Sequence, residues 1–189
     1  LHLCDYNLET INNTTSKTAS DTLLAEVCYA AKEEGDLIKT RYTPYRATYG
    51  DSQLCTVLAR SFADIGDIVR GRDLYLGNPQ ESTQRKKLDE KLKDIFGDIY
   101  KELSRTNGEA AKTHYADEDG SGNYYKLRED WWEANRKEVW KAITCDALQN
   151  ANYFRNACSE GTTSTQGKCQ CVNRGDVPTN FDYVPQYLR

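Results

Sequence analysis

The chain has 189 residues, and its 25 lysine or arginine residues against 29 aspartate or glutamate residues give a net charge of −4. Its length suits one domain, with or without a small appendix. No apolar run approaches the length of about 20 residues that a membrane-spanning helix needs. The acidic balance argues against a protein dedicated to binding duplex nucleic acid, because such proteins are usually basic.

The first predicted helix covers about residues 21–34. Ser20 and Asp21 precede an apolar face, and Gly35 follows that face in the position of a C-cap. The segment 35–50 contains further glycine and a proline. We therefore expect it to be a loop.

The second predicted helix runs from Asp51 to about Arg70, because apolar residues recur there at spacings of three and four. Gly66 lies inside this helix, where glycine costs roughly 1 kcal/mol relative to alanine. We interpret it as a sign of close helix packing. Gly71 follows as the stop.

A third helix is predicted after the turn at Gly77-Asn78-Pro79. Its apolar face consists of Leu88, Leu92, Ile95, Ile99 and Leu103. The other face carries lysine and arginine interleaved with acids. That composition favours a solvated face, and a polyanion-binding ridge is the alternative.

Two more helices are predicted, a short one from Asn107 to about Ala116 and a long one over about Tyr124–Leu148. Trp132 and Trp140 flank the buried stripe of the long helix, so we expect this helix to be covered on more than one side. The predicted core consists of Leu58, Phe62, Ile65, Ile95, Ile99, Leu127 and Trp131.

The pattern changes after residue 148. Residues 150–180 are rich in Asn, Thr, Ser and Gly and contain three cysteines, so we expect a loop held by disulfides. Residues 181–189 are amphipathic again and predict the opening of another helix. No strand pattern is present, and the predicted fold is an all-α, disulfide-stapled bundle of about five main helices with long loops.

Seven cysteines leave at least one without a partner inside the chain if the others pair. We expect Cys4 to be this one and to pair upstream of a cut terminus. Structural disulfides of an exported protein are favoured over zinc, since neither histidine lies near the Cys169-Gln-Cys171 pair. The packing of predicted helices suggests Cys28–Cys145, Cys55 with Cys171 or Cys169, and Cys158 with the remaining one.

No motif indicates catalysis, a cofactor or a metal. The loop from Asp117 to Asn123 resembles the start of a calcium-binding EF-hand, but Arg128 occupies the twelfth position, where a bidentate glutamate is needed. The two histidines, His2 and His114, lie outside any catalytic motif. We therefore expect a protein that is not an enzyme.

Several segments together resemble a known family. They are Leu3-Cys-Asp-Tyr-Asn-Leu-Glu9, Leu58-Ala-Arg-Ser-Phe-Ala-Asp-Ile-Gly-Asp-Ile68, Leu127-Arg-Glu-Asp-Trp-Trp132, Val139-Trp-Lys-Ala-Ile-Thr-Cys145 and Asp182-Tyr-Val-Pro-Gln-Tyr-Leu-Arg189. This set resembles the Duffy-binding-like domain, alpha class, of the variant erythrocyte membrane proteins of Plasmodium falciparum. The resemblance covers the whole chain in order.

The resemblance implies an adhesin on the extracellular face of the infected erythrocyte, with its membrane anchor outside this sequence. Residues 1–19 would be the tail of a preceding subdomain, and residues 20–189 the central helical subdomain. The implied partners are host red-cell or endothelial receptors, sulfated glycans such as heparan sulfate, blood-group sugars and flanking domains of the same adhesin. Rosetting, antigenic variation and virulence accompany these roles. The alternative is a scaffold subdomain that supports binding by its neighbours.

A glycan site in this chain would use basic residues around the third helix. The candidates are Arg70, Arg72, Arg85, Lys86, Lys87, Lys91 and Lys93. Ammonium and guanidinium donors suit sulfates. Asp89, Glu90 and Asp94 are interleaved with them at helical spacing, and this pattern favours an ordinary solvated face.

Overall fold

The structure is a computed structural model that describes residues 19–42, 52–73, 78–117, 120–173 and 175–189. The helices of the described residues are α1 (Ala19–Tyr42), α2 (Ser52–Arg70), α3 (Pro79–Thr106), α4 (Gly108–His114) and α5 (Tyr125–Ile143), followed by two 3₁₀ turns (Phe181–Tyr183 and Gln186–Leu188). The described part contains no β-strand, and the predicted all-α class is confirmed.

The core lies where α5 packs against α1, α2 and α3. Phe62 of α2 meets both Trp132 and Trp140 of α5, with ring centroids 5.2 Å apart in each pair. All seven predicted core residues are buried. Trp132 and Trp140 are buried as well, which confirms that α5 is covered on more than one side.

Gly35 does not end the first helix. An added Cβ at this position would lie 2.0 Å from the carbonyl oxygen of Ile143, so the backbones of α1 and α5 approach too closely for any side chain here. The helix therefore passes through Gly35 and continues to Tyr42. In the sequence Gly35 resembles a helix C-cap, but the structure shows that close packing of two helices requires a glycine there. Gly66 also reflects close helix packing, as predicted, since an added Cβ at this position would lie 2.8 Å from the ring of Trp132.

One other helix boundary follows a local signal, and two differ from the prediction. The Asn78 side chain accepts a hydrogen bond from the Glu81 amide at 2.9 Å and caps α3, with Pro79 in its first turn. Helix α5 ends at Ile143, five residues before the predicted end. Residues 181–189 form 3₁₀ turns in place of the predicted regular helix, because their side chains are held by polar contacts with α2 and α5.

Two disulfides hold the long segment after α5. Cys55 pairs with Cys169, and Cys158 pairs with Cys171. Of the two predicted partners for Cys55, Cys169 is therefore the one it bonds, and Cys171 closes the local loop with Cys158. The predicted disulfide-held loop over residues 150–180 is confirmed.

The predicted Cys28–Cys145 disulfide is wrong, and both thiols are free. Gly35 of α1 lies against Ile143 of α5, and the charge of Glu138 on α5 acts on the Cys28 thiol on α1. Residue numbers therefore rise in the same direction along both helices, so α1 and α5 run parallel. Cys145 follows Glu138 by seven residues, which is roughly 10 Å along a helix. That offset exceeds the Cα separation of about 7 Å that a disulfide tolerates. Cys4 lies outside the described residues.

Replacing Gly35 with alanine should destabilise the fold by about 1–3 kcal/mol, because its methyl group has no room beside the Ile143 carbonyl. Gly97 of α3 is the matched control. An added Cβ there meets its nearest atom, in the Tyr124 ring, at 3.6 Å. Gly97→Ala should therefore leave stability unchanged or raise it by about 0.5–1 kcal/mol through helix propensity. Urea unfolding of both variants measures the difference, and equal effects would contradict the close α1–α5 contact.

The two free thiols should react at different rates. Burial, together with the charge of Glu138, raises the pKa of the Cys28 thiol to about 11, whereas Cys145 is exposed. Only the thiolate attacks an alkylating reagent. At pH 8 without reductant, iodoacetamide should label Cys145 well before Cys28, as read by peptide mapping. In urea both should react at similar rates, and early labelling of Cys28 in the folded chain would refute the burial of this thiol.

Candidate binding surface

Arg70 belongs to the interior and not to a ligand surface. Its side chain is 1% exposed and forms a 3.0 Å ion pair with Asp67 one turn earlier. It also donates to the carbonyl oxygens of Gly66 and Asp182. The prediction that Arg70 takes part in a glycan site is therefore wrong, because a buried guanidinium with these partners cannot reach a ligand.

Asp182 is the partner that sequence reasoning missed. Its fully buried carboxylate accepts two hydrogen bonds of 2.8 Å from the Arg136 guanidinium and one of 2.9 Å from the Trp132 indole. Burial alone lowers the pKa of Arg136, but the hydrogen bonds and charge of Asp182 outweigh this effect and the net shift is upward. The contact ties the first 3₁₀ turn to α5. Its only sequence signal was a single acid in an aromatic segment.

A second arginine holds the end of the same segment. The Arg189 side chain, 4% exposed, pairs with Asp64 and Asp67 on α2. Burial raises the pKa of both carboxyl groups, although Arg189 opposes the shift. Residues 181–189 therefore lie across α2 and α5 and are held mainly by charged contacts.

Three other predicted glycan residues have partners within the chain. Arg72 lies 2.6 Å from Glu129, Arg85 lies 3.7 Å from Asp73, and Lys93 lies 3.3 Å from Asp89. Arg72 is the most exposed of the three. Exposed pairs of this kind contribute little stability, but they lower the charge that a ligand meets.

Lys86, Lys87 and Lys91 form a separate group, called here the lysine face of α3. Lys86 and Lys87 are exposed and Lys91 is partly exposed. No ion pair joins these three ammonium groups to the described residues. Glu90 and Asp94 are exposed on the same helix, so the face carries both signs of charge.

Asp89, a partly exposed acid on the same helix, pairs with a buried arginine and with Lys93. Its carboxylate accepts from the Arg128 guanidinium at 3.1 and 3.2 Å. Arg128 is fully buried and also donates to the carbonyl oxygens of Ile68 and Val69. Burial lowers the pKa of Arg128, and Asp89 partly offsets that shift. The Arg128–Asp89 pair joins α3 to α5 beside the end of α2, and the second oxygen of Asp89 lies 3.3 Å from Lys93.

A groove of about 320 Å³ lies beside this pair, between the end of α2 and the start of α3. Ile68, Leu88 and Leu92 contribute apolar surface. The charged lining consists of Arg85, Lys86 and Lys93 together with Asp73, Asp89 and Glu90. Lys86 thus belongs both to the groove and to the lysine face. The groove therefore carries both signs of charge.

The EF-hand-like loop is described at Asp117 and at residues 120–123. The Asp117 carboxylate accepts from the Gly122 amide at 2.7 Å, and Arg128 points into the α2–α3 contact. Within the described ranges, no three His, Cys, Asp or Glu side chains are grouped as metal ligands. His114 lies on the surface, 3.6 Å from Asp130.

Removing the charge of Asp182 should strongly destabilise the chain. Asp182→Asn leaves Arg136 half-buried without its carboxylate, and breaking such a pair typically costs about 3–5 kcal/mol. Asp176→Asn is the control, because that carboxylate accepts only the exposed amide of Ser159 among the described contacts. We expect the control to lose at most about 1 kcal/mol in urea unfolding. Equal losses in the free energy of unfolding would mean that the Asp182 contact contributes no more stability than the exposed Asp176 contact.

The chain matches the family model for the Duffy binding domain over residues 1–189. No protein with a curated description matches it. None of the helices in the described residues is both long enough and apolar enough to cross a bilayer.

Solved structures similar to the chain come from Plasmodium falciparum membrane protein 1 (PfEMP1). The NTS-DBL1α-1 domain from the varO strain is 48% identical with a TM-score of 0.78, over 99% of this chain and 40% of that one. The NTS-DBL1α and CIDRγ double domain of varO is 47% identical with a TM-score of 0.80, over 99% of this chain and 25% of that one. The chain therefore spans less than half the length of these relatives.

A DBLβ domain of PfEMP1, solved bound to ICAM-1, is also similar. It is 31% identical with a TM-score of 0.68, over 99% of this chain and 40% of that one. The similarity thus extends across two classes of these domains.

Proposed function

The chain belongs to the Duffy binding domain family, and on that basis we propose that it is part of a non-catalytic adhesin that binds receptors on host cells. Residues 20–189 would form the central helical subdomain, and residues 1–19 the tail of a preceding one. The protein would lie on the extracellular face of the infected erythrocyte, with its membrane anchor elsewhere and flanking domains beside it. Duffy-binding-like domains of PfEMP1 are adhesion modules, and this supports the proposal.

The class of partner is supported by the DBLβ relatives. Two of them are described as bound to ICAM-1, at 31% and 27% identity to this chain. A receptor on a red-cell or endothelial surface is therefore the partner class that we propose. The loops between the helices would allow antigenic variation, because exposed connections tolerate substitution without disturbing the core.

Within this chain, the proposed contact with sulfated glycan such as heparan sulfate rests on the lysine face. The observation that carries it is that Lys86, Lys87 and Lys91 are exposed or partly exposed on α3 without ion-pair partners among the described residues, whereas the other candidate cations have them. Asp89 on the same helix is paired with Arg128 and Lys93. Local charge dominates within a Debye length of about 8–10 Å, so the net charge of −4 does not prevent attraction at this face. Rosetting through glycans or blood-group sugars would use such a contact.

The alternative function is a scaffold whose neighbours bind the receptor. The observation in its favour is that Arg70, Arg72, Arg85 and Lys93 are all engaged inside the chain. The carboxylates of Glu90 and Asp94 further reduce the net positive charge near the lysine face. The two functions differ in whether the isolated chain binds a polyanion.

Reversing the charge of Lys86, Lys87 and Lys91 to glutamate should abolish retention on heparin. The matched control reverses Lys32, Lys126 and Lys137, which are exposed on α1 and α5 and change the net charge equally. Heparin chromatography of the 189-residue chain at several salt concentrations compares them. Retention by the wild type should fall steeply with salt, since each contact releases counterions.

Thermal melts should show that both triple variants remain folded, because the six lysines are on the surface. If both variants lose retention equally, binding reflects overall charge and not the lysine face. If the wild type itself is not retained, the scaffold function is supported.

A further inference from the structure

The corner between α3 and α4 contains Asn107-Gly108, the single Asn-Gly sequence of the chain. At such a sequence the backbone nitrogen of the glycine can attack the side-chain amide carbon of the asparagine. The absence of a glycine side chain leaves this approach open. We propose that Asn107 is a site of spontaneous deamidation in the folded protein.

Water is the only other reactant that this reaction needs. A bond forms between the Gly108 nitrogen and Cγ of Asn107, and the side-chain nitrogen leaves as ammonia with the displaced proton. Water then opens the resulting succinimide at either carbonyl. The products are aspartate or isoaspartate, so no enzyme, oxidant or metal is required.

Both reacting groups are accessible in the structure. Asn107 and Gly108 are exposed, and the Asn107 side chain makes no capping hydrogen bond to α4. Gly108 has φ of +62°, and no atom lies within 4 Å of the position where its Cβ would be. Its N–H forms no backbone hydrogen bond with the described residues. The nucleophile and the carbon that it attacks are therefore both free to move.

The observed ψ of 4° at Asn107 must change for the attack, so the first turn of α4 has to open. That opening is easy, because α4 has seven residues and buries only Ala111. Its hydrogen bond from Tyr100 to the Lys112 carbonyl is long, at 3.4 Å. Short, exposed helices open locally at little free-energy cost.

The modification would change the surface of this corner. A neutral amide becomes a carboxylate two residues from Arg105, which is exposed. The isoaspartate product also inserts a methylene group into the backbone between α3 and α4. The corner would therefore change in charge and shape as the protein ages.

The test is incubation of the folded 189-residue chain at pH 8 and 37 °C, followed by peptide mapping. We expect the peptide with Asn107 to gain the mass difference between a hydroxyl and an amino group, with separate aspartate and isoaspartate forms. Asn156 is the internal control, because its side chain is held by Ser164 at 2.6 Å and alanine follows it. It should remain an amide over the same period. Modification of the urea-unfolded chain without modification of the folded chain would refute the proposal.

Two variants test the mechanism. Asn107→Gln should stop the reaction, because the longer side chain closes its ring much more slowly. Ala111→Gly should accelerate it several-fold, because this change loosens α4 without altering the reacting groups. An unchanged rate in Ala111→Gly would show that opening of α4 does not control the reaction and would overturn that part of the proposal.

Discussion

The buried carboxylate of Asp182 is the contact on which the arrangement of the second half of the chain depends. It satisfies the guanidinium of Arg136 and the indole of Trp132, while its backbone carbonyl accepts from Arg70. Donors from three helix residues that are buried or half-buried thereby gain an acceptor. Because these donors come from α2 and α5, the contact fixes both helices and the segment that follows the long loop.

Buried arginine shapes the surface as well as the core. Arg128 lies in the contact between α2 and α3 and pairs with the partly exposed Asp89 carboxylate, so its positive charge offsets one acid of α3. Arg70 contributes nothing to that surface, although its sequence neighbourhood is basic. The number of basic residues in a segment therefore overstates the charge that a ligand can reach.

The disulfides hold a polar segment with little regular structure beside the packed helices. Cys55 on α2 anchors this segment through Cys169, and the Cys158–Cys171 bond closes a local loop within it. Trp140 adds a hydrogen bond to the carbonyl of Cys169 at 3.2 Å. The path of the segment is thus set by a few fixed points, and the residues between them can vary without disturbing the helices.

The sequence by itself determined the helical class, the core faces and the family resemblance. Helical periodicity and caps such as Asn78 act within one or two turns, so they can be recognised locally. The lysine face was also predictable as a set of residues. Tertiary structure decided which basic residues remain available, because Asp182, which accepts from Arg70, and Asp89, which pairs with Arg128, are distant from them in sequence.

Tertiary structure also decided the meaning of Gly35 and the pairing of the cysteines. Glycine ends helices and also permits close helix packing, and only the contact with Ile143 distinguishes the two. Likewise, Cys28 lies on α1 and Cys145 lies two residues after the end of α5, and these two helices do pack together, as the sequence predicted. Their offset along the parallel helices depends on the register of α1 against α5, and register is set by side-chain packing across the interface, which no local pattern specifies.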